Sequence, residues 1–111
     1  MIETADGLAN VEEICAVPGL AGIYVGPSDL RIAVGGASPW DESVNDVFDS
    51  ALVRIHNAAA RAGVAAGIHP TSGAQAARRL DLGFTFATVS SDLDHLEAAA
   101  ARHLAAARGN A

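Results

Sequence analysis

The sequence predicts an α/β fold, a single domain over residues 1–111 built from four βα units with parallel strands. Three observations predict it. Short apolar runs alternate with helical patterns in the order β-α-β-α-β-α-β-α. The runs are continuous in apolar character, as strands of a parallel sheet covered by helices are. No low-complexity tail or linker divides the chain.

Met1-Ile2 forms the first run, the tip of a strand closed by Glu3. A helix is expected over 6–16, with Leu8, Val11, Ile14 and Cys15 on one face. The second strand, 21–25, carries Ile23, Tyr24 and Val25 and ends at Gly26-Pro27. A loop containing Gly35-Gly36 then leads to a helix start, with Ser38 as N-cap, Pro39 at the first helical position and Asp41 as a capping-box acid. Val44, Val47, Phe48, Ala51, Leu52, Ile55 and Ala59 recur at helical spacing behind it. Gly63 stops that helix before the third strand, 64–68. Residues 71–82 are helical up to Gly83, and 84–89 form the fourth strand. Ser91 and Asp92 cap an alanine-rich helix that runs to about Arg108 and stops at Gly109.

Half of the residues are hydrophobic but only 5% are aromatic, so the expected core is tight, with small residues where helices meet sheet. Thirteen acidic against seven basic residues give a net charge of -6, which argues against a nucleic-acid partner. No apolar stretch reaches membrane-spanning length, and no signal-peptide pattern opens the chain. The single cysteine, Cys15, follows an apolar helix face and is expected to be buried and inert. It cannot form an internal disulfide and fits a reducing compartment. A cytoplasmic, non-membrane protein is the expectation.

Two architectures accept the pattern: an open doubly wound sheet, or part of a (β/α)8 barrel. A barrel takes roughly 200 to 250 residues, and four units are half of one. The opening on a strand tip leads us to expect further units upstream of this chain.

In either architecture the functional face is the carboxyl end of the strands. Glu3, Gly26-Pro27-Ser28-Asp29, His69-Pro70 and Ser90-Ser91-Asp92 stand there. Glu3 and Asp29 follow consecutive strands and are 29 − 3 = 26 positions apart. Two such carboxylates make a hard-oxygen site for Mg2+ or Mn2+. The alternative is that Glu3 merely ends a strand and Asp29 caps the short helix after Pro27. Gly26 admits close approach of a ligand, and the Ser28 and Asp29 amides at a helical turn suit a carboxylate. The alternative is an ordinary strand-to-helix turn. His69, after the third strand, is a candidate catalytic or substrate-contacting residue, or else a loop histidine before Pro70. His56, His95 and His103 lie on helices, and no pair spaced for zinc is present. A Ser90-His69-Asp92 triad lacks a nucleophile-elbow sequence. Trp40 is either a packing anchor or a subunit contact.

Ile2-Glu3-Thr4, Gly7-Leu8 with Asn10, residues 17–22 and above all Gly22-Ile23-Tyr24-Val25-Gly26-Pro27-Ser28-Asp29-Leu30 resemble the HpcH/HpaI aldolase family. These are class II, metal-dependent 2-oxo-acid aldolases related to citrate lyase β subunits. Gly67-Ile68-His69 and residues 83–92 resemble the family's last two strands. The resemblance runs over essentially the whole chain. It implies a TIM barrel of about twice this length, with this chain as the C-terminal half and the N-terminal half absent.

It also implies that Glu3 and Asp29 ligate a divalent metal (Mg2+ or Mn2+, with Co2+ also admitted). Ser28 and Asp29 would then give backbone amides to the carboxylate of pyruvate. The implied reaction joins or cleaves a C–C bond through a pyruvate enolate, with a 4-hydroxy-2-oxo acid giving pyruvate plus an aldehyde. An arginine that stabilises the enolate and a histidine for proton transfer come, in that family, from the first half of the barrel. Within this chain Arg31 follows the Asp29 turn and is the arginine expected to face the site.

A half-barrel also exposes the inner face of its sheet. Homo-oligomerisation or a complementary N-terminal half-barrel is therefore expected, and the last helix packs either on its own chain or on a neighbouring subunit. The competing function is a truncated, non-catalytic binding or assembly module.

Overall fold

Period-two alternation decides which side of each strand is buried. In the computed structural model, which describes residues 1–109, β1 (Gly22–Val25) and β2 (Ala65–Ile68) pair in parallel. Gly22 lies opposite Ala65, and Val25 opposite Ile68. β3 (Phe86–Ala87) lies parallel on the far side of β2. Ile2 adds a parallel bridge to Val25 at the other edge, its N–H donating to the Tyr24 carbonyl at 2.8 Å. Spatial order therefore follows chain order, without the reversal found in doubly wound sheets.

One face of this sheet carries Ile2, Ile23, Val25, Ala66 and Ile68, all buried. Helices cover it: α1 (Ala5–Ala9), α2 (Val11–Cys15), α3 (Pro27–Ala33) and α4 (Asn45–Ala62). Val11 and Cys15 of α2, Leu30 of α3, and Phe48, Leu52 and Ile55 of α4 complete the core, with Leu8 and Ile14 packed against it. Each large aliphatic side chain buried there contributes about 1.5–3 kcal/mol.

The other face carries Gly22, Tyr24, Ala65, Gly67 and Phe86. Tyr24 and Phe86 stack across β2, their ring centroids 5.9 Å apart. Gly67 lies beneath them, and a Cβ there would sit 2.1 Å from the Phe86 ring. Phe86 is still 43% exposed, beside an open hollow of about 440 Å3 lined in part by Met1, Leu20 and Tyr24. Among the described residues this face has no covering layer.

α5 (Gly73–Leu82) starts at a Ser72 cap and α6 (Asp92–Ala107) at a Ser91 cap. None of the α6 residues is buried, and Leu93, Leu96 and Leu104 are all more than half exposed. The radius of gyration, 16.6 Å, exceeds the about 13 Å of a closed domain of this length. No helix among the described residues is long and apolar enough to cross a membrane.

The structure corrects four local expectations. The helix over 6–16 is two helices, because the Asn10 side chain donates to the Asp6 carbonyl at 2.9 Å and turns the chain there. Ser38 is not an N-cap, Pro39 is not the first helical residue and Asp41 is not a capping-box acid. Asp41 instead accepts from Ala37 N–H at 2.8 Å and Ser43 N–H at 2.9 Å, capping a 3-10 turn over Glu42–Val44 before α4 begins. Val47 accordingly falls outside the buried stripe and is 55% exposed. The strand expected over 84–89 narrows to β3, although Thr85 and Thr88 N–H still donate to the Ala66 and Ile68 carbonyls.

α2 is tied to α4 by charge as well as packing. Arg54 Nε and Nη2 reach the two oxygens of Glu12 at 3.0 and 2.7 Å, and Arg61 approaches at 3.7 Å. The Arg54 hydrogen bonds hold the Glu12 carboxyl down to about 2 from 4.5. A carboxyl depressed in the folded state stabilises above its unfolded value and loses that contribution as pH falls. Acid unfolding of the wild type should therefore steepen between pH 4.5 and about 2, and Glu12→Gln should flatten the stability profile over that window.

Gly67→Ala should cost about 1–3 kcal/mol by overpacking against Phe86. Most of that cost should vanish in a Phe86→Ala background, a non-additivity that thermal melts of the two singles and the double would measure.

Candidate active site

Parallel strands in chain order bring their carboxyl ends to one rim, and Glu3, Gly26, His69 and Thr88 each follow a strand residue there. The Ile2–Val25 bridge sets Glu3 beside Gly26. A Cβ on Gly26 would lie 2.5 Å from Glu3 Oε2 and 3.3 Å from Glu3 Cβ. The carboxylate thus occupies the space that the missing side chain leaves.

α3 begins at the next residue. Gly26 is its N-cap residue, Pro27 takes the first helical turn, and Asp29 is the acidic residue of that turn. Leu30 N–H closes on the Gly26 carbonyl at 2.9 Å, and the earlier amides of Ser28 and Asp29 have no intrahelical acceptor. Both residues are exposed. The local fold therefore gathers Glu3 and the Gly26-Pro27-Ser28-Asp29 turn at one edge of the rim.

Two carboxylates are hard-oxygen donors, which suit Mg2+, Mn2+ or Co2+, and the Gly26 cradle leaves Glu3 unobstructed. No group of three or more His, Cys, Asp or Glu side chains is placed to share an ion among the described residues. An ion held by Glu3 and Asp29 would draw its remaining ligands from water, from substrate or from outside these residues.

His69 Nδ1 lies 2.9 Å from Thr88 Oγ1, which also hydrogen-bonds the Tyr24 hydroxyl. Three successive strands contribute to this chain of hydroxyls and imidazole. Neither Tyr24 nor Thr88 stands among the sequence candidates. Tyr24 carried a signal nonetheless: it sits between Ile23 and Val25, so its side chain takes the face opposite the core.

The Ser90-His69-Asp92 triad does not form, since Ser90 Oγ and Ser91 Oγ both bond Asp94 and the Asp92 carboxylate accepts from Leu93 N–H. Those two serines hold the Asp94 carboxyl below its ordinary range. His56 packs on Phe84, and His95 bonds the Val89 carbonyl. Cys15 is buried, and burial first, then Glu12, pushes its thiol up.

Arg31 is not directed at Glu3 and Asp29. Its Nη1 donates to the Asp41 carbonyl and to Asn45 Oδ1, both at 2.7 Å, and its guanidinium covers the Phe48 ring. It lines a cavity of about 250 Å3 together with Pro27, Ser28 and His69. Trp40, at the rim of that cavity, is 72% exposed and therefore not a packing anchor.

The model of the HpcH/HpaI aldolase/citrate lyase family matches residues 1–99. A hydroxypyruvate/pyruvate aldolase of Rhizorhabdus wittichii is 41% identical over 97% of this chain and 43% of its own length. A 5-keto-4-deoxy-D-glucarate aldolase of Escherichia coli is 42% identical over 83% of this chain and 35% of its own. The crystal structure of an HpcH/HpaI aldolase/citrate lyase family protein from Burkholderia cenocepacia superimposes with a TM-score of 0.84 at 33% identity, over 96% of this chain and 40% of that one. The chain thus spans less than half the length of these relatives. Over the part it spans, the chain belongs to the HpcH/HpaI aldolase/citrate lyase family.

Proposed function

We propose that this chain is the C-terminal half of a (β/α)8 barrel and supplies the metal and 2-oxo-acid side of a class II aldolase. The reaction is reversible cleavage of a 4-hydroxy-2-oxo acid to pyruvate and an aldehyde. The observation that carries this reading is the Glu3 carboxylate seated over Gly26, one residue from the helix start that bears Asp29. Family membership and the aldolase relatives support it.

Glu3 and Asp29 would hold the divalent ion. When bound, that ion supplies Lewis-acid polarisation of the 2-oxo carbonyl and offsets the charge of the pyruvate enolate. The chain's own residues do the positioning. Gly26 keeps space for Glu3, Pro27 sets the exit angle, and the Ser28 and Asp29 amides donate to the pyruvyl carboxylate. Thr88 orients the His69 ring through Nδ1, leaving Nε2 as the atom that gives or takes a proton at the second reactant. The enolate-stabilising arginine must come from outside this chain, because Arg31 is committed to Asp41, Asn45 and Phe48.

The open sheet face at Tyr24 and Phe86 supports a complementary N-terminal half-barrel as its cover, and the exposed leucines of α6 support an oligomer. The same commitment of Arg31 favours the second reading, a non-catalytic assembly module. Net negative charge and a lone buried cysteine support a cytoplasmic setting.

The deciding experiment is Mg2+- or Mn2+-dependent pyruvate release from a 4-hydroxy-2-oxo acid, run on this chain alone and with the N-terminal half of a relative added. Turnover should appear only in the complemented, metal-supplied sample. Silence in both samples would sink the aldolase reading and leave the assembly module.

Metal binding is testable without turnover. Glu3→Gln and Asp29→Asn should each weaken Mn2+ binding by at least the 10- to 100-fold that loss of an outer-shell partner typically costs. Gly26→Ala should do the same with little change in melting temperature, because its closest clash, 2.5 Å, is with the flexible end of Glu3, while Glu3 Cβ and the Met1 methyl lie 3.3 Å away. Calorimetric titration with Mn2+ measures all three.

A further inference from the structure

Register places Tyr24 of β1 opposite Gly67 of β2, and Gly67 opposite Phe86 of β3. Gly67 puts no side chain between the two outer strands, and the Tyr24 ring stacks on Phe86 across it. The phenol thereby reaches Thr88, two residues beyond Phe86. Thr88 N–H donates to the Ile68 carbonyl at 3.1 Å, which fixes that residue beside β2. Its Oγ1 then lies 2.9 Å from His69 Nδ1.

Three polar atoms thus meet around one threonine oxygen. A threonine hydroxyl has one proton and two lone pairs, and a neutral imidazole carries its proton on either Nδ1 or Nε2. Three orders of donation satisfy both contacts. Were Nδ1–H to donate to Thr88 and Thr88 to Tyr24, the phenolic proton would be left over. Were Nδ1–H and Tyr24 both to donate to Thr88, the threonine proton would be left over. Among the described residues the Tyr24 hydroxyl has no protein partner besides Thr88, and Thr88 Oγ1 has none besides Tyr24 and His69.

The third order has Tyr24 donating to Thr88 and Thr88 donating to Nδ1. It alone keeps both hydroxyl protons in bonds within the protein. A phenol, with a pKa of about 10, is also a stronger donor than an aliphatic alcohol. Nε2 has no protein partner among the described residues, so no bond on the far side of the ring competes. The bond made by one ring nitrogen decides which of the two carries the proton.

We propose that Tyr24 is a positioning residue: through Thr88 it holds neutral His69 as the Nε2–H tautomer. The ring then offers the rim an N–H donor, suited to an oxygen of the second reactant. Taking up a proton at Nε2 requires the chain to reverse and the Tyr24 proton to pass to solvent. The role toward the second reactant rests on the aldolase reading, whereas the order of the hydrogen bonds does not.

The chain is labelled with nitrogen-15 histidine, and long-range nitrogen–proton correlation spectra are recorded at about pH 8.5, where an ordinary imidazole is neutral. Four histidines contribute, and the His69→Gln variant identifies the signals of His69. The wild type should show Nε2 protonated and Nδ1 bare. Tyr24→Phe keeps an aromatic ring for the stack and removes the hydroxyl. It should lower the ratio of Nε2–H to Nδ1–H about fivefold, the equilibrium weight of one neutral hydrogen bond. Thr88→Val should lower it similarly, and Thr88→Ser, which keeps the hydroxyl, should hold the wild-type ratio. A role in packing alone would move the melting temperature and not this ratio. Dominant Nδ1–H in the wild type, or an unchanged ratio in Tyr24→Phe, would overturn the proposal. Thr88→Ser behaving like Thr88→Val would overturn it as well. No metal, substrate or second half-barrel is supplied, so absent turnover leaves this result standing, and failure here leaves the Mn2+ titrations standing.

Discussion

The parallel register that joins Ile2, β1, β2 and β3 is the constraint on which the rest of the structure depends. Because the strands run the same way, each one delivers its next residue to the same rim. Because side chains alternate, each strand divides its residues between a helix-covered face and an open one. A one-residue slip of β1 would send Ile23 and Val25 to the open face and Tyr24 into the core. It would also carry Gly26 away from Glu3. The buried row of Ile2, Ile23, Val25, Ala66 and Ile68 therefore holds the rim in register. Core burial and site geometry are one requirement seen from two ends of the same strands.

Two glycines show how closely that register lets other groups approach the backbone. At Gly26 the neighbour is a carboxylate, and at Gly67 it is an aromatic ring. The consequences differ because the neighbours differ in stiffness. Glu3 ends in a flexible carboxylate that can swing aside, so a side chain at position 26 moves that carboxylate more than it disturbs folding. The Phe86 ring is rigid and stacked on Tyr24, so a side chain at position 67 disturbs folding first. Gly26 is half-buried and Gly67 is buried beneath the Phe86 ring, and neither belongs to the hydrophobic cluster that the helices cover.

Much of this was legible in the sequence. The alternation of apolar runs and helical stripes identifies α4, β1, β2 and α6 together with the parallel sheet, because periodicity and burial are the same information. The gathering of Glu3 with the Gly26-Pro27-Ser28-Asp29 turn follows from strand ends sharing a rim. What escaped depended on side-chain competition for backbone groups. Asn10 breaks one helix by taking the Asp6 carbonyl, and Asp41 delays another by taking the Ala37 and Ser43 amides. Thr4 caps α1 in the same way, its hydroxyl accepting from Gly7 N–H. Pattern counting does not weigh such local bonds against helix propagation. The Tyr24–Thr88–His69 chain escaped for a different reason: it joins residues 64 and 19 positions apart, which only the register brings together.

The open face links sheet stability to the geometry of the rim. Tyr24 spans both roles, with its ring in the uncovered aromatic stack and its hydroxyl in the polar chain that reaches His69. While water reaches that face, the ring keeps part of its hydration and the hydroxyl chain competes with solvent. Removing water would strengthen both at once, the stack by burial and the polar chain by lowering the local dielectric. Any segment that covers Phe86 therefore also tightens the hold of Thr88 on His69. A covering partner that binds only the folded sheet adds its binding free energy to folding. Completing the sheet's second layer and ordering the rim are then a single thermodynamic event. The Thr88 hydroxyl, shared between Tyr24 and His69, is the atom through which such a cover would act on the rim.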